Sequence, residues 1–266
     1  MTDLVKQETN LPTTQMHHVE SVLKSDIIIP KVLLMQGLSD FVKARKATIG
    51  DMVRSTTVQK LGDDKTPLEV IPLTFQNLWM ISEDQKGDGK KYEFRRYETR
   101  NAGNETLDWD FKENGTNWKR TKVMHLFALL PGDIMAQQAA LDEFKKTGEL
   151  PDVESALLPV VIPFRSMSYK YAAKTVSTFF AKAQSLSEQM GVVIPPYAST
   201  LKLFCRNETN EHGDFFVFMV EGAGKTQKEY REAAAAWYKT LTSGANVKID
   251  DSDVVAEETA STDAGF

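Results

Sequence analysis

The stretch Leu68–Ser82, LEVIPLTFQNLWMIS, does most to limit the fold. It is dense in the β-branched and aromatic side chains that suit a half-buried pleated surface, and it reads as a strand. A polar, glycine-bearing turn follows at Asp84–Lys90, and Lys91–Arg100 supplies the partner strand. Strict alternation along that partner puts Tyr92, Phe94 and Arg96 on one face and Glu93, Arg95 and Tyr97 on the other. Asn101–Trp118 reads as a long hairpin turning at ENGTN, and Lys119–Leu130 as a further strand. Leu157–Met167, interrupted by Pro159 and Pro163, reads as an edge or bent strand. Thr200–Arg206 and Asp214–Glu221 pair across NETNEHG. Helical patterns are expected at Asp40–Lys46, Ala136–Lys146, the amphipathic Ala172–Met190 and Gln227–Thr240.

About seven strands with turn-rich, mostly antiparallel connections imply a β-rich α+β fold. The best match is an OB-fold-like antiparallel barrel with an inserted hairpin and flanking helices, although the same periodicity serves another small barrel. The expected division is a mobile N-terminal arm over 1–25, the barrel domain over 26–245, and a disordered acidic tail over 246–266.

That tail carries the charge argument. Asp250, Asp251, Asp253, Glu257, Glu258 and Asp263 fall in the final stretch with no Lys or Arg among them, and the chain stops on Phe266. Such a segment cannot bury enough apolar surface to fold. The whole chain has a formal charge of −5, so removing these six acids leaves residues 1–249 at +1. The low pI of about 5.5 therefore belongs to the tail and not to the body. A floppy anionic end on a partly basic body is the layout of a nucleic-acid binder with a tethered competitor, and its terminal ring suits contact with a partner protein. A solubilising tail is the plainer alternative.

Several chemistries find little support. The longest apolar runs are far too short for a membrane span, and the polar N-terminus has no signal-like core. Cys205 is the one cysteine, which excludes an internal disulfide and a multi-cysteine metal site. His125 lies inside an apolar strand, where a hydrogen-bonded core role is expected, and no metal-ligand spacing appears. GAGKT (Gly222–Thr226) sits between a strand and a helix, as a phosphate loop would. The first glycine of that pattern falls on Met219, however, and the remaining chain is too short for a downstream magnesium-holding strand. The segment reads as a strand-to-helix turn. No cofactor, metal or catalytic residue is expected.

The positive signal is aromatic and basic residues interleaved. Between Lys90 and Lys122 there are nine Lys/Arg against six Asp/Glu, with Tyr92, Phe94, Tyr97, Trp109, Phe111 and Trp118 among them. FRSMSYKYAAK (Phe164–Lys174) adds Arg165, Lys170 and Lys174 with Tyr169 and Tyr171, and no acid. Cations neutralise phosphates and flat rings stack on unpaired bases, which is what a sequence-tolerant single-strand binder needs. The expected DNA-binding set is Trp79, Tyr92, Phe94, Arg95, Arg96, Tyr97, Trp109, Trp118, Lys119, Arg120, Arg165, Tyr169, Lys170 and Tyr171. Any one of these rings could instead fill the core.

Three segments carry a family likeness: IIIPKVLLMQGLSD near the N-terminus, LKLFCRNETNEHGDFFVFMVEG near the C-terminus, and the acidic tail ending in an aromatic residue. Together they resemble the single-stranded DNA-binding proteins of tailed bacteriophages. The resemblance implies an OB fold and cooperative coating of single strands by a homo-oligomer. It also implies replication or recombination partners that read the acidic residues and Phe266, and residence in the host cytoplasm. The ending Ala-Gly-Phe departs from the Pro-Phe of the bacterial proteins, which puts docking to a bacterial tail pocket in doubt. A strand-annealing recombination protein and a virion or assembly protein are the alternatives.

Overall fold

The computed structural model describes residues 28–37, 39–83, 94–149, 157–211, 213–243 and 248–250. In chain order the strands are β1 (Ile28–Ile29), β2 (Val32–Leu34), β3 (Met52–Arg54), β4 (Lys60–Gly62), β5 (Leu68–Glu83), β6 (Phe94–Thr99), β7 (Asp110–Glu113), β8 (Thr116–Leu129), β9 (Val160–Arg165), β10 (Ser199–Asn210), β11 (Gly213–Lys225) and β12 (Lys248–Ile249). The helices are α1 (Asp40–Lys43), α2 (Pro131–Thr147), α3 (Ser166–Ser168), α4 (Lys174–Met190) and α5 (Lys228–Thr242).

β5 and β8 form the spine, antiparallel from Ile71 opposite Leu129 to Glu83 opposite Trp118. Each is too long for a single outer neighbour. β10 borders β5 at Leu68–Val70, and β6 borders it at Leu78–Ser82. β9 runs along β8 at Val123–Ala128, and β7 takes over at Thr116–Lys119. The β7–β8 connection is a two-residue Asn114–Gly115 turn with φ of 52° and 85°, the left-handed pair that a tight hairpin requires. Pro72 interrupts the β5 ladder, and the register shifts there by one residue. Ile71 and Leu73 share one core by ordinary alternation, and the bulge switches the parity so that Phe75 packs, like Val70, against the other. Pro163 sits in the outer strand β9, where its missing N–H is tolerated.

The spine separates two apolar layers. Met124, Leu126 and Ala128 pack with Phe164, Leu201, Leu203, Cys205, Phe218 and Val176 of α4. Phe127 and Leu129 pack on the other side with Ile71, Leu73, Val161 and Ala234 of α5.

The strand-rich character and the antiparallel sheet agree with the sequence reading, but the described strands close no barrel. Beyond Leu203, β10 leaves β5 and continues as a two-stranded ribbon with β11, so the outermost strands never pair. Two local expectations also change. Gly222–Lys225 of GAGKT belongs to β11 and not to a loop. A register shift between Ile81 and Ser82 sets Arg96 opposite Ile81 but Phe94 opposite Ser82. The backbone register along this strand therefore departs from strict alternation.

Candidate nucleic-acid interface

Residues directly opposite one another on paired strands share a face of the sheet, so the register sorts the candidates. Trp79 is opposite Lys122, Ile81 is opposite both Arg96 and Arg120, and Trp118 is opposite both Glu83 and Phe111. Alternation along β8 puts this set on the side of Met124 and Leu126. Tyr97 opposite Met80, Arg165 opposite Val123, and Lys119 opposite Ser82 belong to the other side. The expected DNA-binding set is thus split across two faces.

On the first face, rings and cations alternate. The exposed Trp109 (54% accessible) meets Trp79 edge-on at 6.2 Å. The Lys122 ammonium lies 5.5 Å from the Trp109 ring and 5.8 Å from that of Trp79. The Arg100 guanidinium lies 5.7 Å from Trp79 and 5.6 Å from Tyr169, and its Nη2 donates to the Tyr169 hydroxyl. The resulting order is Trp109, Lys122, Trp79, Arg100, Tyr169. Beside it the Arg120 guanidinium stacks 3.9 Å from the Phe111 ring, while its Nη1 donates to the Asp108 carbonyl at 2.8 Å.

Trp79 does not offer a free ring. It is fully buried, and its Nε1 donates to Asn104 Oδ1 at 3.4 Å. The Asn101–Trp109 connection covers it, so it serves as the enclosed middle of the row and not as a stacking surface. Arg96 is half-buried and pairs with Glu98 at 2.6 Å. Trp118, Lys119 and Tyr169 are half-buried, and Lys170 is exposed. Tyr171 is half-buried, with the Arg206 guanidinium 4.9 Å and the Lys170 ammonium 5.9 Å from its ring. Phe94 and Arg95 lie in β6, and the description there extends only to their backbone. Tyr92 lies outside the described residues, as do Asp251, Asp253, Glu257, Glu258, Asp263 and Phe266.

On the second face, Arg165 Nη2 donates to the Tyr97 hydroxyl at 3.1 Å, and the Tyr97 ring meets His125 edge-on at 5.0 Å. His125 is buried as expected, but neither ring nitrogen has a hydrogen-bond partner. Burial above all, then the nearby charges of Arg165 and Lys31, pushes its pKa down to about 3.

Asp250 departs from the expected tail. β12 pairs parallel with β1, the Asp250 N–H donates to the Ile29 carbonyl at 3.0 Å, and the Ser55 hydroxyl donates to Asp250 Oδ2 at 2.6 Å. Asp250 is therefore tied to the body by backbone and side chain.

Arg100, Lys122, Phe111 and Arg206 are absent from the expected DNA-binding set, although Phe111 is among the aromatic residues of the window. The first three stand in the basic–aromatic window, but only cross-strand register brings them to named rings. Among the described residues there is no group of three potential metal ligands, and no helix is long and apolar enough to cross a membrane.

A family model described as Pam3 phage gp34-like protein matches residues 4–247, stopping short of β12 and the acidic end. No curated protein and no solved structure matches the chain.

Proposed function

The chain belongs to the Pam3 phage gp34-like protein family, and on that footing we propose that it is a non-enzymatic phage protein that binds single-stranded DNA without sequence preference. One observation carries the reading: the unbroken alternation of Trp109, Lys122, Trp79, Arg100 and Tyr169 on one face of the sheet. Cations held over rings by a rigid strand pair are prepaid in conformational entropy. A single strand needs that pairing, with phosphate on the cation and base on the ring. Trp109 is the ring available to a base. Lys122, Arg120 and Arg96 supply charge around it, and Phe111 and Trp118 extend the aromatic surface.

In this reading the residues after Asp250 compete with DNA for the cationic face and offer Phe266 to a replication or recombination protein. Sixteen residues follow Asp250. At roughly 3.3–3.6 Å per residue their contour length is up to about 55 Å.

The test is titration with oligo-dT, followed by tryptophan fluorescence over a range of salt. The expected result is quenching and an affinity that falls steeply as salt rises. Weak binding indifferent to salt would overturn the reading.

A virion or assembly role is the second reading. It is favoured by Leu186, Met190, Val192 and Val193, which stand exposed together at the end of α4 and the turn after it, Val193 at 87%. That role predicts self-association without DNA affinity. A gel shift combined with sedimentation separates the two.

A further inference from the structure

We propose that Tyr171 is a second base-stacking platform and that Arg206, on the β10–β11 ribbon, is its phosphate contact. The inference rests on the single-strand-binding reading and extends the ligand track from the spine of the sheet onto that ribbon.

The local chain builds this platform in an unusual way. After Arg165 ends β9, Ser166 takes a φ of 46°, a left-handed conformation that a residue with a Cβ adopts at a cost. The chain then passes through α3 into a π-helical turn over Tyr169–Ala173 before α4 begins. Such a turn holds one residue more than an α-helical turn, which re-aims the side chains on it, and it is frequent at functional sites. Ala172 and Ala173 anchor the turn in the first core. Its two tyrosines reach cations from different parts of the sheet. Tyr169 meets Arg100 at the end of β6, and Tyr171 meets Arg206 of β10.

Arg206 lies past Leu203, where β10 pairs only with β11. Its side chain is 48% exposed, and its Nε donates to Glu208 at 2.6 Å, a residue two positions along the same strand. An exposed pair of that kind contributes little to stability. The fold therefore gains little from a guanidinium held 4.9 Å from a half-exposed ring, whereas a ligand carrying a flat base and a phosphate gains both contacts at once. In the free protein Glu208 occupies the guanidinium that a phosphate would take. Arg100 joins Tyr169 to the Trp109 row, and Tyr171 follows Tyr169 by two residues in the same π-helical turn.

The experiment titrates the full-length protein with oligo-dT at several salt concentrations. Tyr171→Ala should weaken binding by about 5- to 100-fold, while Tyr171→Phe stays near the parent. Arg206→Ala should lower the slope of log affinity against log salt by about 0.7, the release expected for one single-strand phosphate contact. Arg206→Lys should keep the slope and lose part of the affinity. Glu208→Gln should bind more tightly than the parent. Trp109→Ala serves as the control for the first platform. Should Trp109→Ala impair binding while Tyr171→Ala and Arg206→Ala retain parental affinity and slope, the second platform is rejected and the single-strand reading stands. Absence of oligo-dT binding by the parent protein removes both.

Discussion

The side-chain amide of Gln36 pairs with both backbone polar groups of Phe216: its Nε2 donates to the carbonyl at 2.9 Å, and the Phe216 N–H donates to its Oε1 at 3.0 Å. Two residues on, the Phe218 N–H donates to Ser168 Oγ at 3.0 Å. β11 is an outer strand of the seven-stranded sheet, and an open row of donors and acceptors there would invite another chain. Gln36→Leu should cost about 1–3 kcal/mol, the penalty for polar groups left unsatisfied, as read from urea unfolding. It should also cause concentration-dependent self-association in sedimentation velocity. A variant as stable and as monodisperse as the parent would show that the edge needs no such cover.

Trp79 and Trp109 touch each other but should separate stability from binding. Trp79→Ala removes a fully buried indole and should destabilise the fold by about 3–5 kcal/mol. Trp109→Ala should change stability by less than about 1 kcal/mol and weaken oligo-dT binding by about 5- to 100-fold. Thermal unfolding and titration of each variant distinguish the two roles.

His125 ties stability to acid. Its pKa lies at about 3 in the folded chain against the 6.5 of an unperturbed histidine. Between those values the unfolded state binds the extra proton, so stability is complete above about pH 6.5 and declines as pH falls toward 3. The loss is on the order of 4 kcal/mol at the lower end. His125→Leu should flatten that part of the curve relative to the parent. Parallel curves for the two proteins, followed by circular dichroism, would exclude the histidine as the cause.

Cys205 should behave as an inert core residue. Its thiol is buried and donates to the Gly50 carbonyl at 3.1 Å, and burial pushes its pKa up to about 11. A disulfide reagent at pH 8 should leave the native thiol unmodified over a time in which the urea-unfolded chain reacts fully. Fast native labelling would mean that the contact between β10 and the Gly50 backbone opens.

Removal of residues 251–266, with Asp250 kept for its bond to Ser55, should tighten oligo-dT binding several-fold at low salt, and the gain should shrink as salt rises. Equal affinities at low salt would dismiss the acidic end as a competitor. Truncation before Asp250 should in addition lower stability, because it deletes a contact of the β1–β12 pair.

Much of the fold was legible locally. Leu68–Ser82 became β5, the ENGTN turn became the Asn114–Gly115 hairpin, and Ala172–Met190 became α4 preceded by a π-helical turn. The interface was legible as a composition but not as a constellation. Arg100 and Lys122 were two cations among nine until the register set them beside Trp79. The β5–β6 register carries a shift between Ile81 and Ser82 that no alternating pattern announces.

The sequence by itself determined where the long strands and helices form and where the negative charge collects, because side-chain periodicity and net charge are properties of contiguous residues. Only the tertiary structure decided that Trp79 is enclosed, that Tyr97 and Arg165 turn away from Trp109, and that Asp250 anchors a strand end. Each of these depends on which distant strand lies alongside and in what register, and a shift of one residue there moves a side chain to the other face of the sheet.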